Sequence, residues 1–250
     1  GLGLVGLAVV AEEAGAALLP EPFVAAGVLP VAALLACGEP AAGLLEAVAA
    51  GERIAGLAWQ ERPGELELGD CATSYRMAGD QLVLQGEKCA VFPGAGEDGW
   101  LVAATGSQGL KLLWVDSDAI GASLRTARRV DGTTMATLQL ADVAVAPDQV
   151  LASGETARRA VNDALETGRL AQAAELIGVA RHTLATTVEY LNTRVQFGKP
   201  IGSFQALQHR MVDAFIQIEL AAASLADALQ AVAAGLAALP ALASRVKARA

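Results

Sequence analysis

Leu4, Leu7, Ala8 and Ala11 open the chain with apolar steps of three and four, the spacing of one helix face, and Gly15 follows as a stop. "LLPEPF" then turns the chain, and residues 23–37 and 41–50 read as two short helices parted by "GEP". Near residue 54 the period changes. "IAGLAWQ" is extended, and "YRMAGDQLVLQGEKCAVF" is two strands around a Gly-Asp turn. "GWLVAAT", "GLKLLWVD", "ASLRTARRV" and "MATLQLADVAVA" keep the strand-and-turn rhythm to about residue 146, which suggests a small antiparallel barrel or sandwich. After "VAPDQVLASG" the helical step returns. Leu170, Ala173, Ala174, Ile177, Leu184, Val188 and Leu191 form one stripe over 157–193. Leu207, Met211, Phe215, Ile218, Ala222, Leu225 and Leu229 form another over 204–239, before Pro240 interrupts and a third helix starts. The order is α, then β, then α, with expected boundaries of 1–50, 51–150 and 151–250.

Composition narrows the class. Of 250 residues, 54% are hydrophobic and 18% charged, so the chain can bury a sizeable core. Alanine dominates and aromatics are 4%, which favours closely packed helices. A net charge of −9 without any basic run argues against a nucleic-acid surface, though a few arginines suffice for a small anion. Cys37, Cys71 and Cys89 are odd in number and far apart, so neither a disulfide framework nor a metal site is expected. Buried or half-buried thiols in a reducing cytoplasm are the simpler expectation. No stretch reads as a membrane span, because Val24–Ala36 is short and broken by Gly27 and Pro30. The chain begins "GLGLVG" and ends "ASRVKARA" inside a helical pattern, so both ends read as cut.

The most informative chemistry lies in "RVQFGKPIGSFQALQHR", residues 194–210. Arg194 closes one long helix, and Ser203 is a candidate N-cap for the next. A guanidinium near a helix N-terminus can seat a phosphate or diphosphate. Gly198 and Gly202 allow close backbone approach. Phe197 offers a flat face, and Gln196 and Gln205 offer amides to a base edge. The simpler alternative is that Arg194 caps carbonyls at its own helix end.

"EYLNTRVQFGKPIGSFQALQHRMVD" closely resembles the R-x-Q-F-G…F-Q…Q-H signature of the acyl-CoA dehydrogenase family. "GLGLVGLAVVAEEAGAALLPEP", "MAGDQLVLQGEKCAVFPGAGEDGWLVAA" and "RRVDGTTMATLQLADVAV" resemble, in order, its late N-terminal helices and its middle β-domain. The resemblance implies an α+β fold: an N-terminal helical segment, a middle antiparallel β-barrel and a C-terminal helical bundle. It implies FAD-dependent α,β-dehydrogenation of an acyl-CoA thioester, with electrons passed to an electron-transfer flavoprotein. The assembly implied is a homo- or hetero-oligomer, a dimer of dimers with FAD at the dimer interface. By resemblance, Arg194 binds the FAD diphosphate of a neighbouring subunit, and Gln196, Phe197 and Gln205 belong to the same site. "LETGR" resembles the segment in which an acidic residue and an arginine, here Glu166 and Arg169, line the acyl-CoA site; the simpler alternative is an Arg169 ion pair that ties the bundle to the β-domain.

Several positions depart from the family pattern. The family's T-E-P-x-x-G-S-D stretch holds the flavin ring, whereas "QERPGELELGD" keeps only Glu61, Pro63 and Gly64. The W-I-[ST] element beside the ring is replaced by Ala90, Val91 and Phe92. Either the pocket is widened for a bulky lipid or steroid acyl group, or this chain is a half-site, non-catalytic subunit of a mixed complex. The catalytic residue stays unassigned. In most of the family the base lies C-terminal to the place of Ala250; in a minority it stands where this chain has Gly168. Glu166 and Glu175 are nearby carboxylates that read more simply as solvated helix charges. His182 and His209 read as structural, and Trp59, Trp100 and Trp114 as core or barrel-rim residues.

Overall fold

The structure, a computed structural model, describes residues 3–234 and 239–250. Its helices begin with α1 (Gly3–Ala16), a π-helical turn at Phe23–Val28, α2 (Leu29–Cys37) and α3 (Ala42–Ala49). Strands follow: β1 (Ala55–Ala58), β2 (Ser74–Ala78), β3 (Gln81–Val91), β4 (Gly99–Gly106) and β5 (Gly109–Asp116). After the short α4 (Ser117–Ile120) come β6 (Leu124–Arg128), β7 (Thr134–Val145) and β8 (Val150–Ser153). The chain then enters α5 (Gly154–Thr193), a small hairpin of β9 (Val195–Gln196) and β10 (Lys199–Pro200), α6 (Gln205–Ala233) and α7 (Leu239–Arg249). Residues 235–238, where the apolar stripe was expected to end, lie outside the described residues.

Contacts divide the chain into two compact units, residues 20–168 and residues 1–19 with 169–250. The first holds an eight-stranded sheet in the order β6-β7-β3-β2-β4-β5-β8, with β1 added alongside β4. The expected barrel is corrected here: the sheet is open, and it is mixed, because β1 and β2 each run parallel to β4. One end, β6, is a five-residue strand carrying exposed Arg125 and Arg128, features that blunt a free edge. The other, β8, runs directly into α5.

The period-two patterns explain how both faces of this sheet are buried. β4 is buried along Gly99–Ala104, yet its side chains alternate between two cores. Leu101 and Ala103 pack with Leu34, Ala41, Ala160 and Ala164 from α2, the turn before α3, and the start of α5. Trp100, Val102 and Ala104 pack with Leu84, Leu138 and Val145 from β3 and β7. Trp114 and Trp59 join the first core, so the tryptophans are core residues as expected.

In the second unit, backbone approaches backbone. A Cβ at Gly178 of α5 would lie 1.9 Å from the carbonyl oxygen of Glu12, and one at Gly15 of α1 would lie 2.0 Å from that of Glu175. Glycine is therefore what lets α1 dock on α5, and Arg181 secures the crossing through ion pairs to Glu12 and Glu219. The apolar stripes are buried over only part of their length. Leu170, Ala174, Ile177, Leu225 and Leu229 are buried, but Val188 and Phe215, nearer the hairpin, are 38% and 55% exposed. With Leu184 and Ile218 they line an open groove of about 580 Å³.

Candidate functional site

The hairpin after α5 is built by its backbone. The Arg194 N–H donates to Tyr190 O (2.8 Å), closing α5, and Arg194 O accepts from the Ile201 N–H (2.9 Å) across the loop. Phe197 and Gly198 form a two-residue turn with φ of +54° and +79°, the signs a type I′ turn needs. That turn thrusts Phe197 outward to 90% exposure, while Phe204 stays half-buried, edge-on to the Phe197 ring at 6.1 Å and beneath the Lys199 ammonium at 4.5 Å.

One expectation about this loop is corrected. Ser203 does not cap α6; its hydroxyl donates to Pro200 O at 2.8 Å, and Phe204 occupies the N-cap without a side-chain bond. Gly202 lets the loop pass close to the end of α5, since a Cβ there would lie 3.0 Å from Leu191 O. Arg194, Gln196, Phe197 and Gln205 are all exposed, and the structure brings them to one hairpin and the first residue of α6. Among the described residues the Arg194 guanidinium makes no hydrogen bond or ion pair and caps no carbonyl at the end of α5, where Tyr190 O accepts from the Arg194 N–H and the Thr193 hydroxyl. A cation, two amides and an aromatic face thus stand unspent together, a donor set that fits a dinucleotide diphosphate and its attached ring.

Glu166 and Arg169 lie three residues apart on α5, on one face of the helix. Glu166 is buried, 7% exposed, so the expectation of a solvated charge is corrected; Arg169 is half-buried. Glu175 is half-buried too, its carboxyl raised by burial and accepting from Gln172 at 3.2 Å. Gly168 is buried and close to α2: a Cβ there would lie 2.4 Å from Leu29 Cδ2, so any side chain at this position requires the Leu29 side chain to move. His182 and His209 are exposed rather than built into the structure.

Sequence reasoning missed the buried charges of the sheet. Lys88, wholly buried, donates from Nζ to Glu61 Oε1 at 2.7 Å. Glu61 also accepts from the backbone N–H groups of Ala72 (2.7 Å) and Thr73 (2.8 Å) and from the Cys71 thiol (3.3 Å). Burial pushes the Glu61 carboxyl up, but Lys88 and the Thr73 and Ala72 donors outweigh it and hold the group at about 2. Cys71 and Cys37 are both raised by burial to about 11, the behaviour of inert thiols. β3 also carries Gln81, Gln85 and Glu87, so nothing in its sequence marks out Lys88 as the buried charge. Just beyond it β3 bulges, and Ala90 adopts φ +50°. Phe92 follows, with the Arg129 guanidinium 5.2 Å over its ring.

The chain belongs to the acyl-CoA dehydrogenase family: residues 158–250 match the family model for the acyl-CoA dehydrogenase C-terminal domain, and its relatives carry the same assignment. It is 33% identical over 249 residues to the acyl-CoA dehydrogenase FadE34 of Mycobacterium tuberculosis, covering 93% of this chain and 31% of that protein. Among solved structures it is similar to a Tcur3481-Tcur3483 steroid ACAD variant, with 32% identity and a TM-score of 0.81 over 99% of this chain and 65% of the other. It is also similar to the ChsE4-ChsE5 complex of Mycobacterium tuberculosis, with 25% identity and a TM-score of 0.82, again over 99% and 65%. The chain spans about half or less of the length of the curated relatives it matches, 21% and 31% in the IpdE2 and FadE34 proteins of Mycobacterium tuberculosis. No helix among the described residues is long and apolar enough to cross a membrane.

Proposed function

We propose that this chain takes part in FAD-dependent α,β-dehydrogenation of an acyl-CoA thioester, with a bulky lipid or steroid side chain as the favoured acyl group. The observation that carries the reading is the unspent Arg194 guanidinium on a hairpin that also presents Phe197, Gln196 and Gln205. When bound, the flavin would supply the hydride chemistry. Arg194 would neutralise the diphosphate of an FAD seated on a neighbouring subunit, with Phe197 against a ring and the two amides at a base edge. Glu166 and Arg169 would line the thioester site, with the Arg169 charge toward the acyl-CoA. No residue of this chain is assigned as the base: position 168, where a minority of relatives carry it, is a glycine. The electron acceptor proposed is an electron-transfer flavoprotein.

The sheet side supports a roomier acyl pocket: Ala90 stands where a tryptophan is usual, and a bulge re-aims it. The same departure favours a second reading, a half-site subunit in a complex with an unlike chain. The ChsE4-ChsE5 structure is a precedent among the similar proteins for two chains assembling. The test is purification of the complete chain, with any co-purifying partner, and its visible spectrum. A bound flavin is expected, and Arg194→Ala is expected to release it with little change in melting temperature. A colourless assembly, or flavin content untouched by Arg194→Ala, refutes the assignment. One flavin per two chains in an unlike pair favours the half-site form.

A further inference from the structure

We infer that Glu61 and Lys88 are a buried positioning pair: they touch no ligand, but fix the backbone of two separate segments that wall the proposed flavin pocket. This rests on the flavin reading for what the wall faces, while the clamp itself stands on geometry. A wholly buried ammonium needs its partner, since removing one member of such a pair leaves an uncompensated charge. Yet a buried pair is seldom worth more than apolar side chains of the same volume, so stability alone does not account for it. What the pair does that two apolar residues cannot is hold backbone.

Glu61 uses one oxygen on Lys88 and the Thr73 N–H, and the other on the Ala72 N–H. Lys88 reaches a second acceptor on the same segment, Trp59 O, at 3.4 Å. One residue further, the Cys89 N–H donates to Gln60 O at 2.9 Å. Residues 59–61 and 71–73 are thereby fastened to β3 at residues 88–89. That is where β3 leaves its register with β7, between Lys88 and Val91, and sends Ala90 into the left-handed region. The far side is anchored as well, because Thr73 O accepts from the Thr105 N–H at 2.9 Å. The direction in which residues 90–92 leave the sheet follows from this clamp. Neither side chain reaches solvent freely: Lys88 is 0% and Glu61 12% exposed.

The experiment compares the complete protein, with its partner chain if one co-purifies, with Lys88→Met and with the double variant Glu61→Leu/Lys88→Met. Three quantities are read: melting temperature, amide hydrogen exchange at residues 72, 73 and 89, and the visible circular dichroism and retention of bound flavin. The double variant is expected to melt near the parent, because apolar replacement of both charges restores packing. Its amides at 72 and 73 are expected to exchange faster, its flavin spectrum to change shape, and its flavin to be held about tenfold or more weakly, the usual scale for loss of an outer-shell orienting contact. A double variant with parental exchange and parental flavin spectrum overturns the proposal and leaves a purely structural pair. If the double variant fails to fold, Glu61→Gln/Lys88→Met decides on the same readouts, since it keeps side-chain volume and leaves no buried charge while offering one oxygen in place of two to the amides at 72 and 73. A flavin-free parent refutes the proposed function instead, and the exchange data alone then judge the clamp: unchanged protection overturns it.

Discussion

Glu97 offers a sharp test of how burial is balanced in the sheet unit. It follows β3 in the loop 92–98, is 8% exposed, and neither carboxylate oxygen has a hydrogen-bond partner among the described residues. Burial raises its carboxyl from 4.5 to about 6. The folded state thus holds the proton more tightly than the unfolded chain, and the sign follows. Stability from this group is complete below pH 4.5 and is lost as pH rises through 6. The gap, net of the opposing pull of the Glu97 and Ala95 backbone N–H groups, corresponds to about 2 kcal/mol above pH 7, where the folded protein must carry a buried charge with no side-chain partner. Glu97→Gln keeps the shape and removes the titration. It is expected to stabilise by about 2 kcal/mol at pH 8, or ~4–8 °C in melting temperature for a chain of this size, and by almost nothing at pH 4. Thermal unfolding of parent and variant, followed by circular dichroism from pH 4 to 8, measures both ends. No gain at pH 8, or an equal gain at both, refutes the reasoning.

Two glycine positions give independent checks. Gly178→Ala sets a methyl against the Glu12 carbonyl and is expected to cost more than about 3 kcal/mol, seen in denaturant unfolding, because backbone on both sides must shift. Gly168→Glu, which would place a carboxylate where a minority of relatives carry the base, is expected to lower the melting temperature and to add no turnover, because Leu29 fills the space; a variant with gained activity and parental stability would contradict the packing described above.

Local features were legible in the sequence, and distant ones were not. The β2–β3 hairpin was read from its Gly-Asp turn, and Gly79 does take φ +63°. The constellation at 194–205 was equally readable, because its members are brought together by a turn whose signals lie between them. Barrel closure was not readable. Alternating side chains fix which face is buried, but closure depends on strand tilt and stagger, which the pattern does not encode. Nor was the Lys88–Glu61 pair, whose partners are 27 residues apart and meet only once β3 is laid against the loop. Glu166 misled for a related reason. A charged residue on a helix suggests solvent until the neighbouring elements are in place, and only then is it seen to be buried.

Forty residues of uninterrupted helix carry α5 from one unit into the other, and the division at residues 168 and 169 falls inside it. Subcloning either half would sever intrahelical hydrogen bonds, with no linker in which to place the cut. Limited proteolysis should accordingly find no weak point there, and the two units should be inherited, expressed and lost as a single piece.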